Sequence, residues 1–150
     1  MRTRREWIPI AGLVATIVGA TYVVVQLNGQ TQPPAADFRN AQTAQVRDAQ
    51  GQVVLQGQFM APVDEDGGLE RLATLTPTGP DADAAGEAEV EFAKTNPTEQ
   101  EVEFAVSNLP AGATFTFVID GIDVASGTTD RQGTAEVELE VQMPAAAASR

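Results

Sequence analysis

The residues of this chain that could do chemistry are almost all carboxylates. There are 21 Asp and Glu against 9 Lys and Arg, with no His and no Cys. Oxygen is therefore the ligand chemistry on offer, and it suits hard cations such as calcium. Two stretches carry fragments of calcium-loop spacing: Asp64-Glu65-Asp66-Gly67 and Asp81-x-Asp83-x-x-Gly86. Counted from Asp81, the fifth position is Ala85 and the twelfth is Phe92, where a calcium loop needs oxygen ligands. Solvated acidic turns are the simpler reading. Paired carboxylates can also hydrolyse glycosides, but here the glutamates recur at i, i+2 with no sign of a cleft between them. Nucleophile pairs of the Ser-His-Asp or Cys-His kind cannot be assembled. Zinc, copper, haem and non-haem iron sites built on imidazole or thiolate are excluded as well. No catalytic, cofactor-binding or metal-ligating residue is assigned, no cofactor is expected, and the chain reads as a non-enzyme.

The elements that carry these acids are legible from their period, which is 2 and not 3.6. In Glu87–Ala93, Ala88, Val90 and Phe92 oppose Glu87, Glu89 and Glu91. In Glu101–Val106, Val102, Phe104 and Val106 oppose Glu101, Glu103 and Ala105. In Thr114–Ile119, Phe115, Phe117 and Ile119 oppose Thr114, Thr116 and Val118. In Ala135–Val141, Ala135, Val137, Leu139 and Val141 oppose Glu136, Glu138 and Glu140. Such alternation marks antiparallel strands with one dry and one wet face. A helix would scatter the glutamates around its circumference. Weaker strand candidates are Ala44–Arg47, Val53–Phe59 and Leu69–Leu75. The expected fold is all-β: a small antiparallel β-sandwich of about seven or eight strands, at residues 44–143.

Turn chemistry agrees. Asp120-Gly121 is a two-residue hairpin signal, because a type I′ turn needs positive φ at both positions. Hairpin geometry accounts for Asp120, and Asp123 reads as solvated. Asn96-Pro97 and Asn108-Leu109-Pro110-Ala111-Gly112 mark two further breaks. One pattern recurs: Asp83-Ala-Ala-Gly86-Glu-Ala-Glu-Val-Glu-Phe92 matches Asp130-Arg-Gln-Gly133-Thr-Ala-Glu-Val-Glu-Leu139, with a shorter copy at Asp48-Ala-Gln-Gly51. The shared physics is a turn in which Asp bonds backbone two residues on and Gly takes a left-handed conformation. Convergent turn chemistry and a duplicated hairpin both explain it.

The N-terminus is of another kind. Residues 7–27, WIPIAGLVATIVGATYVVVQL, run without a charge. About 20 helical residues span the roughly 30 Å of a hydrocarbon core. Pro9 fits a first helical turn, and Trp7 suits the interface. Arg2, Arg4 and Arg5 precede the run and the next basic residue is Arg39, so the positive-inside rule puts residues 1–6 in the cytoplasm as a short arm. A cleaved signal peptide is the competing reading, with Val18-Gly19-Ala20 as the cut. The apolar run continues past that point through Leu27, whereas a signal core ends at its cleavage site. Either way the rest of the chain is expected outside the cytoplasm. Residues 28–43 read as a flexible linker, and 144–150 as a disordered tail.

Charge narrows the partners. Of the 21 acids only Glu6 precedes the apolar run. The remainder of the chain is therefore strongly negative, repels phosphate backbones, and is not expected to bind nucleic acid. The glutamate faces have two readings: protection of a solvent face against edge-to-edge pairing, or an acidic docking face for a basic partner.

The stretch Leu109–Leu139 resembles a pattern in many exported bacterial β domains: Leu-Pro-x-Gly-x-x-aromatic-x-(aromatic or Val)-x-(Ile or Val)-Asp-Gly, followed by Asp-x-x-Gly leading into a strand. It is similar to CHRD-type β domains too, although those commonly carry His. The resemblance implies a small extracytoplasmic sandwich and no reaction. The expected protein is a single-pass membrane chain held in the bilayer by residues 7–27. Its extracytoplasmic domain reads as a structural or protein-interaction module of the cell envelope, with loops 62–68 and 76–86 as contact points and an envelope protein as a possible partner. Calcium or small-ligand binding is the alternative.

Overall fold

A computed structural model describes residues 35–65, 68–93 and 98–144. The expected anchor 7–27, the arm before it and nearly all of the tail 144–150 lie outside the described residues. Among the described residues there is no helix, and hence none long and apolar enough to cross a membrane.

Among the described residues nine strands form one antiparallel sheet. In chain order they are β1 (Thr43–Arg47), β2 (Val53–Gln58), β3 (Val63–Glu65), β4 (Gly68–Pro77), β5 (Ala85–Ala93), β6 (Glu99–Ser107), β7 (Thr114–Ile119), β8 (Ile122–Thr128) and β9 (Ala135–Gln142). Their spatial order is β8-β7-β1-β2-β4-β5-β6-β9, with β3 folded back on β4. The sheet curls until its end strands β8 and β9 approach each other without pairing, which makes the shape nearly a barrel. The all-β, antiparallel expectation holds. The count is nine rather than seven or eight, and the two halves of the sheet are continuous. The reason is β4, which pairs with β5 along most of its length and with β2 through Leu55↔Pro77 and Gln56↔Thr76 at its end. At this corner a Cβ on Gly57 would run into the Thr74 carbonyl, so only glycine lets the two backbones come so close.

The alternation read from sequence becomes cross-strand rows. Inside, Val90, Val102 and Leu139 face one another, as do Ala88, Phe104 and Val137, and then Gly86, Val106 and Ala135. All but Gly86 are buried. Phe104 and Phe117 meet across the core with ring centroids 5.0 Å apart. Val118 keeps the outer phase expected of it, opposite Gln45, yet is fully buried outside the core cluster, while the register shift between β7 and β8 passes over Val124 of β8.

One end of the near-barrel is closed by the chain's own N-terminal segment. Nine residues of the expected linker 28–43, residues 35–43, are described, and they are not loose. Phe38 is 2% exposed, and Ala36 and Ala41 are buried with it. Three side chains from other elements hold this strap. The Gln100 carbonyl accepts from Phe38 N at 3.0 Å, and its amide donates to the Ala36 carbonyl. Arg71, buried on the inner phase of β4, donates through Nη1 to the Arg39 carbonyl and through Nε to that of Met60, and it lies over the Phe59 ring. Asp120 accepts from Gln42 N, Thr43 N and Thr43 Oγ1. Hairpin geometry therefore explains only half of Asp120: φ is 47° there and 81° at Gly121, as a type I′ turn requires, but the carboxylate also fastens the start of β1.

The repeated turn is real at two of its three places. Asp48 Oδ1 accepts from the amides of Gln50 and Gln52, and Asp130 Oδ1 from those of Gln132 and Thr134. Gly51 and Gly133 follow at φ 78° and 76°. The third copy, Asp83 to Gly86, is different. There the turn closes from Ala84 N to the Asp81 carbonyl, and Gly86 already belongs to β5. Gly86 is small for a packing reason: an added Cβ would press on the Ala105 carbonyl and on Val106.

Candidate functional site

The same register that builds the core sorts the outer face of β4, β5, β6 and β9 into three rows. The first is Glu70–Glu91–Glu101–Glu140, the second Leu72–Glu89–Glu103–Glu138, and the third Thr74–Glu87–Ala105–Glu136. Nine of these twelve positions are glutamate, and none is Lys or Arg. Five pairs stand directly opposite: Glu70/Glu91, Glu91/Glu101, Glu101/Glu140, Glu89/Glu103 and Glu103/Glu138. Opposed side chains start from Cβ atoms about 5 Å apart, where like charges destabilise a sheet. At such separations each fully charged pair costs about 1 kcal/mol in water and about 3 kcal/mol at the effective dielectric of a protein surface.

The positions inside the grid cannot swing clear of their neighbours. Glu89 and Glu103, in the middle row on the two inner strands, are half-buried, as are Glu70, Leu72, Ala105 and Glu136 around them. Burial pushes the Glu89 carboxyl up to about 8, with the charges of Glu70, Glu103, Glu91 and Glu87 adding to the effect. Burial also pushes Glu103 up to about 7, followed by the charges of Glu136, Glu138, Glu101 and Glu87. Glu101 rises to about 7, first by burial and then through the charge of Glu138 and a hydrogen bond with it. Glu136 is raised by burial and by Glu138. At neutral pH the face thus keeps protons that ordinary glutamates have lost, and a protonated carboxyl can donate to a charged neighbour.

The acids weighed as calcium fragments fall partly outside the described residues. Asp64 sits on β3, and Asp66 and Gly67 lie outside the described residues. Asp83 contributes its backbone carbonyl to the Asn108 amide. Among the described residues no group of three or more acids is arranged to hold a metal ion. Asp123 lies 3.9 Å from Arg47 at the surface. A shallow groove of about 440 Å³ lies where β2 and β4 diverge, lined by Gln56, Gly57, Gln58, Thr74, Thr76 and Thr78. It is polar and wide open, without the apolar walls that hold a small ligand.

The glutamate ladders were visible in the sequence, strand by strand. What the sequence did not show is that β4, β5, β6 and β9 are adjacent, which merges separate ladders into one field. Glu70 was missed because Leu69–Leu75 carries leucine at both phases. Arg71, an arginine within that same short run, was the available signal that one phase is not purely apolar. A search of family models, of curated proteins and of solved structures found no match to this chain.

Proposed function

We propose that this chain is a membrane-anchored, extracytoplasmic binding module that docks a basic partner on the glutamate-covered outer face of β4, β5, β6 and β9. The three glutamate rows carry this reading. A field of one sign, rigidly spaced on a sheet, attracts cationic partners over a Debye length and sets their orientation on contact. The face is the outside of a curled sheet, which favours surface docking over catalysis. The uncharged run of residues 7–27 and the arginines before it support a single-pass anchor with the domain outside the cytoplasm. The pattern across Leu109–Leu139 supports kinship with exported β-sandwich domains, CHRD-type domains among them. The strap reaches the barrel end about eight residues after the proposed anchor, so the domain would stand within roughly 30 Å of the bilayer. A partner would then be a protein of the cell envelope, with Lys or Arg presented at strand spacing.

The test uses the full chain in its native membranes. A photocrosslinking side chain replaces Leu72 or Thr74, between the glutamates. Expected is one reproducible protein neighbour with a basic surface, lost in molar salt and lost when Glu91 and Glu138 become Gln. A neighbour that survives both changes, or none at either position, would refute docking on this face. A reporter fused to the C-terminus tests the topology separately; cytosolic activity would overturn the export reading.

A further inference from the structure

We propose that the glutamate grid of β4, β5, β6 and β9 makes the domain pH-responsive near neutrality, with a face that takes up protons and a sheet that tightens as the medium turns mildly acidic. The inference does not depend on where the chain sits or what it binds. It starts from register: five opposed Glu pairs are fixed by the hydrogen bonds of β4–β5, β5–β6 and β6–β9, and the strands cannot move apart without losing the inner rows.

The carboxylates that act most on each central group follow from the register. Glu89 meets Glu103 across β6, Glu87 and Glu91 along its own strand, and Leu72 across β4 with Glu70 diagonal to it. Glu103 meets Glu89 and Glu138 directly, Glu101 along its strand, and Glu136 and Glu87 diagonally. Glu101 meets Glu91 and Glu140 directly, Glu99 and Glu103 along its strand, and Glu138 and Glu89 diagonally. No guanidinium or ammonium occupies any of the twelve positions, and the one arginine of β4, Arg71, lies on the opposite phase with its donors on the strap and on Met60. Repulsion among Glu89, Glu103 and Glu101 is then relieved as protons are taken up. The raised values of Glu89, Glu103 and Glu101 put that uptake between about pH 6 and 8.

Composition makes the effect easy to isolate. The chain has no His and no Cys. Ordinary carboxylates are fully charged above about pH 6, and Lys and Tyr do not titrate until about pH 10. Only the α-amino group shares the window. The sign follows from linkage. A carboxyl whose folded value lies above its unfolded value holds a proton in the native state that the unfolded chain has lost. Its stabilising effect is complete below the unfolded value, about 4.5, and disappears as the pH climbs to the folded value.

The experiment is thermal unfolding of the full chain in neutral detergent, followed by far-ultraviolet circular dichroism from pH 5.5 to 9. Expected is a Tm that falls by roughly 5 °C or more across this range, and a smaller fall in the Glu89→Gln, Glu103→Gln double variant. A flat wild-type profile overturns the proposal, and so does an unchanged slope in the variant. Should that variant fail to fold, potentiometry of the wild type decides. Unfolding in urea at pH 6.5 should release roughly two to three protons per chain, whereas release of none overturns the proposal.

Discussion

Truncating Phe38 tests whether the strap is part of the core or merely lies on it. Phe38 is 2% exposed, and its backbone amide is satisfied by Gln100, a side chain 62 residues away. Phe38→Ala removes a buried ring and leaves a cavity at the barrel end, which costs about 3–5 kcal/mol when the surroundings cannot collapse. Gln100→Ala leaves a buried N–H at Phe38 and a buried carbonyl at Ala36 without their partner. Each such orphan costs about 1–3 kcal/mol. The two changes act on the same segment, so they should not add. Once Phe38 is gone the strap lifts and its polar groups reach water, which makes the Gln100 change cheaper in that background. The double variant should fall short of the sum by about 1–2 kcal/mol. Urea denaturation of the full chain and both single and double variants, followed by circular dichroism, gives the cycle. Against a total stability of about 5–15 kcal/mol, a loss of 3 is easily seen. A Phe38→Ala penalty under about 0.5 kcal/mol would show that the strap contributes nothing to the fold's closure, and strict additivity would show that Phe38 and Gln100 do not act on one segment.

Other expectations follow from the same contacts. Asp120→Ala should lose about 1–3 kcal/mol by chemical denaturation, because Gln42 N, Thr43 N and Thr43 Oγ1 lose their acceptor. Asp120→Asn, which keeps an oxygen and tolerates positive φ, should recover part of the loss. Gly133→Ala should cost clearly more than Gly51→Ala: both have positive φ, but a Cβ at Gly133 meets the Leu109 backbone while one at Gly51 meets open space. Equal denaturation midpoints for these two variants would contradict that difference. Asp130 is held below the usual carboxylate range, first by the Thr134 amide and hydroxyl. Its contribution is present above about pH 4 and lost as the pH falls through its folded value. With the glutamates acting in the opposite direction, the wild-type Tm should peak between about pH 4.5 and 6. Asp130→Ala should lower the Tm at every pH above about 4 and flatten the acid limb, leaving the slope of the alkaline limb unchanged.

How much of this could be read from the chain depended on whether the signal was local. Period-2 alternation located β5, β6, β7 and β9 because their inner phases are apolar almost without exception. The Asp120-Gly121 turn was legible because two consecutive residues with positive φ leave few sequence choices. β3 was not legible, since Val63–Glu65 is three residues long and mostly acidic. The strap was misread because Pro-Pro, Asn and Gln around Phe38 look like linker chemistry. Its order comes from Gln100, Arg71 and Asp120, each distant in sequence, and no local pattern encodes such contacts. The false third turn shows the converse hazard. Asp83 and Gly86 have the letters of the motif, yet Gly86 is needed for the close approach of Ala105, not for its φ. The glutamate field falls between these cases: its members were legible and its assembly was not, because strand order is a non-local property.

A sheet that opposes five glutamate pairs still folds, and the magnitudes say why. The inner phase of the same strands buries Val90, Val102, Phe104, Val137, Leu139 and Val141. Each is worth about 1.5–3 kcal/mol when fully removed from water. The outer phase opposes this with about 1–3 kcal/mol per charged pair, less wherever a proton is shared. Folding is therefore decided on the inside, and the outside is left free to be unfavourable. Thr, Gln or alternating Lys and Glu at the same positions would keep the sheet soluble without the repulsion, as Gln45, Gln56 and Thr76 do elsewhere on this sheet. Protection of the edge alone would need charge on β9 only. Glutamates on β5 and β6, two inner strands, do nothing for an edge, and their repulsion lowers the stability of the domain at alkaline pH. That cost has a rationale if the field itself, or its response to protons, is what the domain uses.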